Sequence, residues 1–320
     1  MSEQSAIRDP KSAIAYVFPG QGSQSVGMGK DLFDNFEAAR DAFNEADEAL
    51  GFPLASMCFE GNEEDLQLTA NTQPAILATS IAALRAMEAE GFSRPAFVAG
   101  HSLGEYSALV AAGVLDFGDA LRTVRKRGTY MQEAVPVGVG AMAAVLGLGL
   151  DEIEQGCAEA AQGQICSPAN INSPSQVVIA GNSEAVDRAC EIMKAKGAKR
   201  AIKLNVSAPF HCDLMKPAEE RLATDLQELT YGDFRFPVVH NVDAEANDDS
   251  AKVADALKRQ VSSPVKWLQS IQKLRSMGVE KFIEVGPGKV LSGLLRQIDR
   301  EAVSANIENT ESLRISLETL

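Results

Sequence analysis

The chain is 320 residues long, 45% hydrophobic and 23% charged, with a formal net charge of −14. That length holds one large domain carrying an insertion, or two domains, and the acidity excludes broad nucleic-acid binding. Cys58, Cys157, Cys166, Cys190 and Cys212 are scattered and form no C-x-x-C pair, which argues against a disulfide framework and a zinc site and for thiols in a reducing cytoplasm.

Met1–Lys11 is polar, with no apolar segment of the kind a secretory signal needs. Ala13–Phe18 reads as a short buried strand that ends in the loop Pro19-Gly20-Gln21-Gly22-Ser23-Gln24. This loop lacks the third glycine of a dinucleotide fingerprint and is not read as a phosphate cradle. The spacing of Leu32, Phe33, Phe36, Ala39 and Phe43 predicts one helix over Leu32–Leu50. Ile76, Leu77, Ile81, Leu84 and Met87 predict a second over Gln73–Glu90, with Pro74 in its first turn. Ala96–Ala99 is a strand, and helices follow at Glu105–Ala112 and Phe117–Glu133. Short apolar strands alternating with helices predict a mostly parallel sheet covered by helices.

The texture changes at Val135-Pro136-Val137-Gly138. Val135–Leu150 is the longest weakly polar stretch, yet it is too short to span a bilayer, and no membrane partner is expected. Gly140–Leu148 reads as a strand and Asp151–Ala161 as a helix. Cys166–Asn172 and Gln176–Ala180 read as strands joined by a turn. Ser183–Lys196 is a helix opened by a capping serine, and Arg200–Leu204 is a strand. The order strand, helix, strand, strand, helix, strand is that of a split βαβ, ferredoxin-like unit. Alternation then resumes with Phe236–Val242, Lys252–Gln260, Pro264–Met277, Lys281–Val285 and Lys289–Arg296, so the unit reads as an insertion. Asn306–Leu320 reads as a late helix or a tail.

Chemistry concentrates at Gly100-His101-Ser102-Leu103-Gly104-Glu105. A Gly-x-Ser-x-Gly run between a strand and a helix is the pattern of a sharp turn that holds a serine Oγ outward. The free N–H groups of the following helix point at the same place. Ser102 is therefore the candidate nucleophile. A serine hydroxyl needs a neighbouring base, and the chain has three histidines. His101 adjoins Ser102 and is expected to pack beside the turn. His240 ends a strand and reads as a buried structural residue, although strand ends are also where ligands sit. His211 lies in a loop at a domain junction, a common place for catalytic groups.

Several segments, in order, resemble the malonyl-CoA:acyl-carrier-protein transacylase family. They are Phe18–Gln24, Gly100–Tyr106, Arg127-Gly128 with Met131-Gln132, Ser207–His211, Asn241-Val242 before Ala244, and Glu284-Val285-Gly286-Pro287-Gly288. The resemblance covers nearly the whole chain. It implies an α/β fold in which residues 1–135 and 206–320 form an α/β-hydrolase-like core with a mostly parallel sheet, and residues 136–205 an inserted ferredoxin-like subdomain. It implies that Ser102 is acylated and that His211 is general base and then general acid, oriented by the main-chain carbonyl of Gln260. The main-chain N–H groups of Gln21 and Leu103 would form the oxyanion hole. Arg127 would pair with the free malonyl carboxylate, a role its planar fork of donors suits. Phe210 would narrow the acyl pocket.

The substrates implied are malonyl-CoA and the phosphopantetheine thiol of an acyl carrier protein, with no bound cofactor and no metal. Carrier proteins are acidic, so docking on this acidic chain calls for a local basic patch. Lys194, Lys196, Lys199, Arg200 and Lys203 cluster in one segment, and Lys289 and Arg296 lie near the C-terminus. A freestanding polyketide acyltransferase would look the same. A serine thioesterase would share the elbow but would use an acidic residue, such as Asp213 or Asp243, to orient its histidine. A carrier-binding scaffold with an inactive elbow is the non-enzymatic alternative.

Overall fold

The computed structural model describes residues 13–319 apart from Asn205 and Ser207. Met1–Lys11, read above as polar, and Ser207 of the Ser207–His211 motif lie outside the described residues. The first part of the chain forms β1 (Ala13–Phe18), α1 (Lys30–Asn35), α2 (Glu37–Leu50), α3 (Leu54–Glu60), α4 (Glu63–Gln67), α5 (Thr69–Ala89), β2 (Phe97–Gly100), α6 (Gly104–Ala111) and α7 (Phe117–Glu133). The middle forms β3 (Gly140–Leu146), α8 (Leu150–Ala161), β4 (Cys166–Ser173), β5 (Gln176–Asn182), α9 (Ser183–Ala195) and β6 (Arg200–Lys203). The last part forms α10 (Lys216–Gln227), β7 (Val238–Val239), β8 (Ala246–Asn247), α11 (Val253–Gln260), α12 (Trp267–Ser276), β9 (Val279–Val285), α13 (Val290–Ile298), β10 (Val303–Ile307) and α14 (Thr310–Thr319).

Two sheets result. The larger has the order β10-β9-β1-β2-β7-β8, parallel throughout except for the short β7–β8 pair. Its strands are apolar on both faces because helices cover both: Tyr16 and Phe18 enter one core, Ala15 and Val17 the other. The smaller sheet, β4-β5-β3-β6, is antiparallel and backed by α8 and α9. With two crossover helices and this strand order it is ferredoxin-like, as the element order predicts. It has its own small core, in which Ile153, Val186 and Met193 meet Val145 and Ile179.

The sheets join close to the elbow. Ile171 N donates to Val265 O at 2.9 Å, and Val265 N to Ala169 O at 2.9 Å. A Cβ on Gly140 would overlap the Pro209 ring, so β3 begins against the loop that carries His211.

The structure differs from the sequence reading in several places. The helix expected over Leu32–Leu50 is two, because Phe36 adopts an extended conformation (φ −127°) between them. The second helix begins at Thr69, which puts Pro74 inside it. Burial accommodates this proline: Ile76, Leu77 and Ile81 around it are at most 1% exposed, and each such buried side chain contributes about 1.5–3 kcal/mol. Ser183 does not cap α9. The N-cap is Asn182, whose side chain instead accepts from Ile165 N at 2.8 Å. Within Phe236–Val242 only Val238–Val239 pair as a strand. The stretch read as a helix or tail, Asn306–Leu320, begins inside β10, whose last two residues, Asn306 and Ile307, it contains; β10 pairs in parallel with β9.

Candidate active site

Ser102 sits two residues past the end of β2, with φ +51°. This left-handed conformation is uncommon for a residue with a Cβ and costs about 1–3 kcal/mol unless the surroundings hold it. They do so through both peptide groups. Ser102 N donates to Asn241 Oδ1 at 2.7 Å, and Ser102 O accepts from Gln260 Nε2 at 2.9 Å and from Glu105 N at 3.0 Å. The glycines around it are sterically required. A Cβ on Gly100 would overlap the Gly104 carbonyl, one on Gly104 the Phe18 carbonyl, and one on Gly20 the His101 carbonyl. The Gly20 loop is therefore pressed onto the elbow.

His211, also at positive φ (+61°), brings Nε2 to 2.7 Å from Ser102 Oγ and Nδ1 to 2.8 Å from Gln260 O. A carbonyl only accepts, so Nδ1 carries the proton and Nε2 presents its lone pair to the serine hydroxyl. His211 is buried, and burial followed by the charge of Arg127 lowers its pKa from 6.5 to about 3. The imidazole is thus held neutral, ready to accept a proton.

Arg127, on α7, is 2% exposed. Nη1 donates to Gln73 Oε1 at 2.8 Å, while Nη2 donates to Gln260 Oε1 at 2.9 Å and to Ser102 Oγ at 3.2 Å. Its partners are neutral amides and a hydroxyl, and no carboxylate pairs with it among the described residues. Its Nε has no partner there either. Burial depresses its pKa, but a guanidinium stays charged in proteins. A buried cation without a counter-ion beside a nucleophile is suited to an anionic acyl group.

Beneath the elbow lies a second layer. Glu105 is fully buried and accepts from His240 Nδ1 at 2.6 Å, Gln260 Nε2 at 2.8 Å and Asn241 N at 2.9 Å. Asn241 Nδ2 donates to Gly100 O at 2.7 Å. His240 uses its other nitrogen, Nε2, to accept from Asn247 Nδ2 at 3.0 Å. His240 is therefore structural, the first of the two readings its position allowed. His101 packs beside the turn as expected, with Nε2 2.8 Å from Asn172 Oδ1 of β4 and its ring against Trp267.

The main-chain N–H groups of Gln21 and Leu103 have no intramolecular acceptor among the described residues. Gln21 is exposed on the Gly20 loop, and Leu103 N follows Ser102 directly. Phe210 is buried next to His211. Neither acidic candidate reaches the imidazole: Asp243 pairs with Arg259 at 2.7 Å and Asp213 with Lys216 at 3.0 Å. No group of three or more His, Cys, Asp or Glu side chains among the described residues is arranged to hold a metal, and no helix there is long and apolar enough to cross a membrane.

On the surface, four of the cations singled out are already paired: Lys194 with Glu191, Lys196 with Glu159, Lys203 with Asp187 and Lys289 with Glu308, at 2.8–3.1 Å. Lys199, Arg200 and Arg296 are exposed and carry no ion pair among the described residues.

Sequence reasoning missed Gln73 and the carboxamide of Gln260. The available signal was a glutamine on an otherwise apolar helix face, which asks for a partner when buried. The same signal marked Glu105, an acid at the start of an apolar helix.

The family model described as acyl transferase domain matches residues 15–313. A malonyl CoA-acyl carrier protein transacylase of Escherichia coli (strain K12) is 49% identical over 305 residues, 95% of this chain and 99% of that one. An acyl carrier protein S-malonyltransferase from Vibrio cholerae O1 superposes with a TM-score of 0.93 at 50% identity, over 95% of this chain and all of that one. A malonyl-transacylase solved in complex with its type II PKS acyl-carrier protein superposes with a TM-score of 0.95 at 48% identity, over 97% of this chain and 100% of that one.

Proposed function

The chain belongs to the malonyl-CoA:acyl-carrier-protein transacylase family, within the acyl transferases, and on that premise we propose how its residues move a malonyl group from coenzyme A to a carrier protein. The observation that carries the reading is a single oxygen, Ser102 Oγ, placed 2.7 Å from a neutral imidazole and 3.2 Å from a buried guanidinium.

His211 Nε2 takes the Ser102 proton as Oγ attacks the malonyl-CoA thioester carbon. The oxyanion that forms is held by the main-chain N–H groups of Gln21 and Leu103, which have no intramolecular acceptor among the described residues. On collapse the C–S bond breaks, and His211 returns the proton to the departing CoA sulfur. The malonyl-serine ester then meets the phosphopantetheine thiol of the acyl carrier protein. His211 deprotonates that thiol, its sulfur attacks the ester carbon, and Ser102 Oγ leaves with the proton, completing a ping-pong cycle. The Gln260 carbonyl orients the imidazole, so this is a dyad.

Arg127 receives the free carboxylate, which lies one methylene from the reacting carbon and therefore close to Oγ. An acetyl group leaves this buried cation unmatched and is disfavoured. Phe210 limits the acyl pocket: Phe210→Ser is expected to weaken discrimination against methylmalonyl-CoA, and an unchanged ratio of kcat/KM values for the two thioesters would count against this role. Residues 136–205 act as an inserted subdomain that shields the ester from water. The cations with no ion pair among the described residues, Lys199, Arg200 and Arg296, steer the acidic carrier, with Lys194, Lys196, Lys203 and Lys289 as auxiliary charges. The free thiols suit a cytoplasmic enzyme.

The test is incubation with radiolabelled malonyl-CoA. Acid-stable label on the protein, chased onto holo carrier protein and absent in Ser102→Ala, is expected. Transfer at the normal rate by Ser102→Ala would overturn the mechanism, and rapid release of free malonate would mark a hydrolase.

A further inference from the structure

A second concavity, of about 300 Å³, lies at the opposite end of the parallel sheet from Ser102. Its floor is apolar, built from Tyr16, Leu84, Phe92, Pro95 and Phe236. Phe92 and Pro95 come before β2 in the chain and Phe236 before β7, whereas Ser102 follows β2. A strand of four residues spans about 13 Å, so this cavity is separate from the acyl site and no step of the reaction uses it.

Its mouth is charged. Arg94, Arg235 and Glu88 line it, giving two guanidiniums to one carboxylate. Arg235 is anchored: Nη2 donates to Ala111 O at 2.8 Å and its main-chain N to Ala112 O at 2.8 Å. Arg94 is exposed and has no hydrogen bond or ion pair among the described residues. The floor's one polar group is already satisfied, since Tyr16 Oη donates to Ser93 O at 2.6 Å. The site therefore offers an apolar cleft with one uncommitted guanidinium at its rim. Its volume is at the lower end for small-molecule pockets.

We propose that this cavity binds a small amphipathic monocarboxylate, a saturated chain of about six to eight carbons, with the chain on the apolar floor and the carboxylate at Arg94. A bidentate guanidinium–carboxylate pair gives the head-group preference. The floor gives dependence on chain length, since each added methylene that is buried should tighten binding about threefold to fourfold. Ala111 also lines the cavity and ends α6, the helix whose first turn carries the elbow, so an occupant touches the far end of the element that presents Ser102.

The experiment is calorimetric titration of the full chain with hexanoate and octanoate, with octanol and octylammonium as head-group controls. Expected results are saturable one-to-one binding of octanoate, about ninefold to sixteenfold weaker binding of hexanoate, and at least tenfold loss in Arg94→Glu. Malonyl-CoA turnover should be unchanged in that variant. Three outcomes would each overturn the proposal: no saturable binding, octylammonium equal to octanoate, or full affinity in Arg94→Glu. Displacement of octanoate by malonyl-CoA would do the same, because it would place the acid in the acyl site.

Discussion

Two regions of this molecule use polar and charged side chains in opposite ways. At the elbow Ser102, Glu105, Arg127, His211, His240, Asn241 and Gln260 are mostly buried and joined by bonds of 2.6–3.2 Å. On the surface of the ferredoxin-like unit, Lys194 of α9, Lys196 just after it and Lys203 of β6 make salt bridges of similar length, but in water. Distance alone does not separate the two; the surrounding dielectric does. A buried donor without its acceptor loses the full cost of desolvation, about 1–3 kcal/mol, whereas an exposed pair is worth about 0–1 kcal/mol.

The largest effect should come from Arg127→Ala. It leaves two buried carboxamide oxygens, on Gln73 and Gln260, without a donor, and removes the cation beside Oγ. We expect kcat/KM for malonyl-CoA to fall about 10²- to 10³-fold with little loss for acetyl-CoA, and thermodynamic stability to drop by about 1–3 kcal/mol. Equal losses for the two thioesters would break the contrast at its strongest point.

The next effect concerns pH. Folding lowers the His211 pKa from 6.5 to about 3, so between those values the unfolded chain binds a proton that the native state refuses. Stability therefore falls as pH drops through this window, by at most about 1.4 kcal/mol per unit, and no such loss occurs above it. Unfolding free energies from urea titrations at pH 7 and pH 5 should differ by about 2 kcal/mol more in the wild-type chain than in His211→Gln. The acid limb of kcat/KM should lie well below 6.5, and equal slopes in both proteins would show that burial is not holding this imidazole neutral.

The smallest effect is expected at the surface. Charge reversal of Lys199 and Arg200 should leave stability within about 0.5 kcal/mol. KM for the carrier protein should rise about threefold to tenfold at low salt, and the difference should shrink as salt is added. A carrier KM that does not move would remove these two cations from the docking role and leave the region a solvated face.

The split between these regions also decided what could be read from sequence. Strands with local signatures, such as Ala13–Phe18 before a glycine loop or the hairpin around Ser173-Pro174-Ser175, were legible because turn chemistry and apolar runs are local properties. Ser102 was legible for the same reason, since only glycines fit the contacts at Gly100 and Gly104. The pairing of Gln73 with Arg127, 54 residues apart, and of Gln260 with Arg127, 133 apart, has no local trace and waits on the fold. The break at Phe36 and the absence of a side-chain cap on α9 were missed because apolar spacing continues across one and a serine offers a cap at the other. The β10 strand was hidden in Val303–Ile307, whose only clear demand for extension is the free edge of β9.

The acceptor that steers the catalytic imidazole belongs to the polypeptide backbone. An alanine scan that reaches Gln260 would delete its amide head, disturbing Arg127 and Glu105, and yet leave the carbonyl facing His211 Nδ1 untouched. Side-chain substitution, natural or engineered, cannot retune that bond. Only chemistry on the main chain reaches it, such as replacing the Gln260–Val261 amide with an ester to make the carbonyl oxygen less basic.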